Sequence, residues 1–89
     1  MSGQNQHQEI QECTNQVKQA YQMIIQAKTS GNMEQLAQAQ EQLLQAEEHL
    51  KYTQERFGTE ALNNPQFQQT EEQLHDARQE IELFKNNHR

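Results

Sequence analysis

Apolar residues recur along this chain at alternating spacings of three and four. Ile10, Cys13, Val17, Ala20, Ile24 and Ala27 make one such row. Leu36, Ala39, Leu43, Ala46, Leu50, Thr53 and Phe57 make a second, and Phe67, Thr70, Leu74, Ala77, Ile81 and Phe84 a third. That spacing sets each row on one side of an amphipathic helix. Strand-like alternation is absent. The pattern predicts helices over about 5–30, 33–57 and 65–87, with a further turn of helix at Thr59–Leu62. Residues 1–4 and 88–89 fall outside them, and the whole chain, 1–89, reads as a single small domain.

Each seven-residue repeat of the seam holds one large residue and one that is mostly small, Phe84 being the exception. A small residue once per heptad lets two helix backbones approach closely while the large residues interdigitate beside them. The break at residues 30–32 is short, so the first two helices are expected to form an antiparallel hairpin. The third has similar length and is expected to pack along it. The fold class predicted is all-α, an antiparallel helical hairpin plus a third helix, as a three-helix up-down-up bundle or coiled coil.

The helix ends are written in the same register. Lys28 stands in a last turn, Gly31 just beyond it and Asn32 at the next N-cap, with Gln35 placed to reach back as in a capping box. Gly58 interrupts the second row. Asn64 then serves as N-cap and Pro65 takes the first helical position, where its missing N–H costs nothing.

Composition alone points the other way. Leu, Ile, Val and Phe make up about a sixth of the 89 residues, below the ~20% at which disorder becomes a fair expectation. Residues 35–50 are Gln-rich. A disordered tract has no reason to hold a seven-residue phase through three segments, and Gln is a good helix former on exposed positions. The pattern therefore outweighs the composition.

The net charge of −6 opposes nucleic-acid binding, which needs clustered Lys and Arg. Residues 1–31 balance to zero, and 32–58 and 59–89 to −3 each. The longest strongly apolar run is Met23-Ile24-Ile25, too short to span a bilayer. The opening "MSGQNQHQEI" has neither the basic nor the apolar region of a secretory signal. With one cysteine, Cys13, no intrachain disulfide forms, and the expected compartment is the cytoplasm.

Candidate chemistry is sparse. Glu72 and His75 form one E-x-x-H pair, whereas di-iron bundles need two such pairs and further glutamates facing inward. On the heptad phase both point away from the seam, and a solvated helix face is the expected role. His49 flanks the seam beside Leu50. His7 and His88 lie near the ends. Cys13 sits on the seam and is expected to act as a small buried apolar residue; Glu9 and Glu12 nearby disfavour a thiolate. Glu41 with Gln45, and Glu47 with Lys51, have the spacing of surface pairs. No catalytic, cofactor or metal residues are assigned, and a bundle this small leaves no room for a deep pocket.

Residues 61–85, "ALNNPQFQQTEEQLHDARQEIELFK", resemble the C-terminal part of a group of short proteins from spore-forming bacilli that carry only a domain-of-unknown-function label. The features shared are the NPQF entry at 64–67, the Gln/Glu-rich turn after it, and the stripe Leu74, Ile81, Phe84 ending in Lys85. The first hairpin is similar in style. The resemblance implies a small cytoplasmic helical protein linked to sporulation, in the forespore at its most specific, with no assigned activity and no functional residues to carry over. A shorter match, "FGTE" at 57–60, is similar to a motif of the gamma-type small acid-soluble spore proteins, which are amino-acid stores. Those chains lack the heptad seams present here.

Tyr21, Met23, Ile25, Met33, Ala37, Leu44 and Leu83 are apolar but off the seam. They either widen the buried face for the third helix or form a second face that docks another chain. On the second reading Tyr21, Ile25 and Leu44 are the candidate partner or oligomer face. The function expected is a non-enzymatic interaction module, an adaptor or regulator. Its partner is a protein or a second copy, and not a nucleic acid, a membrane or a small-molecule substrate. The alternative is a structural or storage protein of the spore with no specific partner.

Overall fold

A computed structural model of the chain describes residues 6–87, the side chains of residues 6 and 87 excepted. The expectations for residues 1–4 and 88–89, His88 included, lie outside these. Four helices follow one another: α1 (Gln6–Ser30), α2 (Met33–Phe57), α3 (Thr59–Leu62) and α4 (Pro65–Asn87). Among the described residues there is no strand.

The helix ends show why the chain breaks where it does. Gly31 takes a φ of 68°, a region glycine enters without strain. The Asn32 N–H then donates back to Ala27 O at 3.1 Å, closing α1 in a Schellman-type turn. The Asn32 side chain turns forward at once and accepts from the N–H groups of Glu34 and Gln35. One residue thus ends α1 and caps α2. The capping box is not closed: Gln35 Oε1 accepts instead from the Ser30 hydroxyl at 3.1 Å, because the Asn32 N–H is already committed to α1. Gly58, φ 64°, makes the second break, and its N–H donates to Gln54 O at 2.7 Å. Asn64 Oδ1 accepts from Gln66 and Phe67 N–H at the start of α4.

Every seam residue is buried except Phe57, which is half-buried and packed against the core. Ala61 of α3 joins the same continuous cluster. Pairs between α1 and α2 run in opposite order along the two helices: Glu9 meets Arg56, Cys13 meets Thr53, and Gln16 meets His49. Pairs between α1 and α4 run in the same order: Gln11 with Gln66, Thr14 with Thr70, Lys28 with Glu80. So α2 is antiparallel to α1 and α4 is parallel to it. The molecule is 50 × 20 × 16 Å.

The off-seam residues divide. Tyr21 and Met23 do widen the buried face. Ile25, Met33, Ala37, Leu44 and Leu83 do not; all five are exposed. For the last four the reason is that α4 lies chiefly along α1, so no helix covers the outer sides of α2 and α4; Ile25 lies on the outer side of α1. Glu47 also departs from expectation: its carboxylate pairs with Arg78 across to α4, not with Lys51 along its own helix.

Candidate functional site

Two polar layers cross the core at the level of Cys13 and Thr14. Cys13 Sγ lies 3.5 Å from Thr53 Oγ1, and Thr14 Oγ1 lies 2.7 Å from Thr70 Oγ1. Each threonine hydroxyl also lies within hydrogen-bond distance of the carbonyl four residues earlier on its own helix, so these groups are satisfied without water. Burial, with a smaller contribution from the Glu9 and Glu12 charges, pushes the Cys13 thiol above its ordinary value, against the Thr53 hydroxyl, which lowers it. Cys13 is therefore a packed thiol whose thiolate form is disfavoured.

Below that level Glu9 is buried beside two bases. Its carboxylate lies 3.2 Å from Arg56 Nη1 and 3.6 Å from His49 Nε2, while His49 Nδ1 donates to Gln16 Oε1 at 2.8 Å. A buried carboxylate needs such partners. The cluster ties the start of α1 to the end of α2. His75 is exposed on α4 beside Gln79, with Glu72 equally exposed. Among the described residues, no group of three His, Cys, Asp or Glu side chains gathers as a metal would need. None of their helices is long and apolar enough to cross a membrane.

What remains is surface relief: a groove of about 230 Å³ between α1 and α2, lined by Gln19, Gln22, Met23, Gln26 and Gln42, and grooves on the two flanks of α4. On the α1 flank, Tyr21 lines a groove of about 300 Å³ with Lys18, Gln22, Gln73 and Asp76. Ile25 lies one turn beyond Tyr21, on the same flank. On the α2 flank, Leu50 and Leu74 floor a groove of about 170 Å³ rimmed by Glu47, Lys51, Gln54 and Glu71. Leu44 stands one turn from Glu47 on this side and is 50% exposed. The structure thus brings Tyr21 and Ile25 together and sets Leu44 apart from them, with α4 between.

The two flanks differ in closure. Every seam residue of α1 is 0% exposed, whereas Leu43 and Leu50 keep 4%, Ile81 7% and Leu74 9%. These four occupy the same heptad position on α2 and α4 and are still buried; the polar row Gln40, Glu47 and Gln54 separates them from Leu44.

Comparison with known proteins finds no matching family model, no matching curated protein and no matching solved structure. Function has to be read from the geometry.

Proposed function

We propose that this chain is a non-enzymatic protein-interaction module, an up-down-up three-helix bundle that docks a protein partner along the α2–α4 flank. The observation that carries this reading is the half-exposed Leu44, one turn from Glu47 on the rim of the shallow groove at Leu50 and Leu74. An apolar floor with a polar rim is what a helix-in-groove contact uses. In the same reading the protein works in the cytoplasm, and the resemblance at residues 61–85 ties it to a spore-forming cell. A store with no partner would have no use for an open flank.

The test begins with a partner recovered by cross-linking in the source cell, then identified and purified. It should bind the wild-type chain and Ile25→Glu alike and lose most of its affinity for Leu44→Glu. Both residues are exposed, so both variants fold. Equal binding by Leu44→Glu, or no partner at all, contradicts the proposal.

A further inference from the structure

Resting on that reading, we infer that the occupant of the α2–α4 groove is a basic amphipathic helix of a partner protein. Glu34, Glu41, Glu48 and Glu55 stand seven residues apart along α2, and all four are exposed. That spacing keeps them on one ridge for the full length of the helix. Among the described residues none of the four takes part in an ion pair; the pairs present use Glu9, Glu47 and Glu80. Leu44 lies between Glu41 and Glu48, one turn from each, so the ridge borders the half-exposed Leu44.

Cations on this flank offset the ridge only in part: Lys51 lines the groove and Lys85 is exposed on α4. Arg78, on α4, is already paired with Glu47, and Glu71 adds a further carboxylate beside Leu74. An incoming helix with Leu and Ala at three-four spacing would cover Leu44 and the groove over Leu50 and Leu74, completing a four-helix arrangement. Lys or Arg on its flank every seventh residue would meet the glutamates in register. A second copy of this chain fits poorly: its net charge is −6, and α2 laid on α2 would set one glutamate ridge against another.

The probe is a synthetic peptide of about three heptads with a Leu/Ala seam and Lys on both flanks, compared with the same peptide carrying Gln for Lys. Binding to the full chain is followed by fluorescence anisotropy. The Lys peptide should bind at least about tenfold tighter than the Gln peptide, and lose about tenfold or more between ~50 mM and ~500 mM salt. The exposed double variant Glu41→Lys/Glu48→Lys should lose a similar factor, and Leu44→Glu should weaken both peptides. Equal binding of the two peptides, no binding of either, or indifference to Glu41→Lys/Glu48→Lys overturns the basic helix. If Leu44→Glu still abolishes binding in that case, the docking flank stands and only its partner's charge is wrong. If charge matters and Leu44→Glu does not, binding is a surface-charge effect and both readings fall. Sedimentation showing a dimer that Leu44→Glu dissolves would make the occupant a second copy, and also overturns the inference.

Discussion

The two flanks of α4 are built from different rows of residues. Towards α4, α1 presents Thr14, Tyr21 and Lys28, and each is engaged: the Thr14 and Thr70 hydroxyls meet, Tyr21 packs on the core, and Lys28 Nζ lies 2.7 Å from Glu80. Towards α4, α2 presents Gln40, Glu47 and Gln54, and α4 answers with Glu71, Arg78 and Lys85. Those rows are polar on both sides, and the one ion pair among the described residues that spans them is Glu47 with Arg78. A narrow seam can close a helix pair only where the rows beside it are apolar, small or mutually bonded. Here α1 has such rows on both sides, and α2 and α4 have them only towards α1.

The comparison breaks or sharpens most visibly in the core. Replacing Ile24 by Ala on the sealed seam should cost about 2–5 kcal/mol in denaturant unfolding, from lost burial plus the cavity. A cost under about 1 kcal/mol would mean that α1 is not the closed centre of the molecule. Next comes Ala20→Leu. The small seam residues let helices approach, so extra bulk there should destabilise by about 1–3 kcal/mol; calorimetry showing no loss would argue that the close approach is not needed.

A smaller effect is expected at Cys13, and only in alkali. Burial raises the thiol's pKa in the folded chain above its ordinary value near 9. Below that value both folded and unfolded chains hold the proton, and the thiol leaves stability independent of pH. Above it the unfolded chain releases its proton first, so stability falls as pH rises. Urea midpoints measured from pH 7 to 10 should show this slope in the wild type and not in Cys13→Ala. Smallest of all, Leu44→Ala should change stability by no more than about 0.5 kcal/mol, since the residue is half in solvent. A larger loss would place Leu44 in the core and remove it from the docking face.

Much of this architecture can be read in the spacing of residues. The three rows from Ile10 to Phe84 became the core because period alone decides which side of a helix is apolar. Asn32, Asn64 and the two positive-φ glycines mark breaks through local chemistry, which sequence carries directly. Contacts between distant segments are not carried that way. Glu9 is separated from Arg56 by 47 positions, and nothing local says that a first-turn carboxylate will be buried beside it. Nor does α2 say that Glu47 will choose Arg78 over the nearer Lys51. The candidate face suffered the same loss: Tyr21, Ile25 and Leu44 are all off-seam, but only the placement of α4 shows that Leu44 stands on the other flank. The glutamate ridge is a different case. Its seven-residue spacing was visible in the sequence from the start; what was missing was the open groove beside it that gives the spacing a meaning.

The most direct test is a heteronuclear NMR titration of the labelled full chain with the basic amphipathic peptide. If the α2–α4 flank is the docking side, shift changes gather at residues 40–51 of α2 and 71–85 of α4 while the amides of Lys18–Lys28 stay in place. Changes centred on Tyr21 and Ile25, or spread evenly over every acidic residue of the surface, would contradict it.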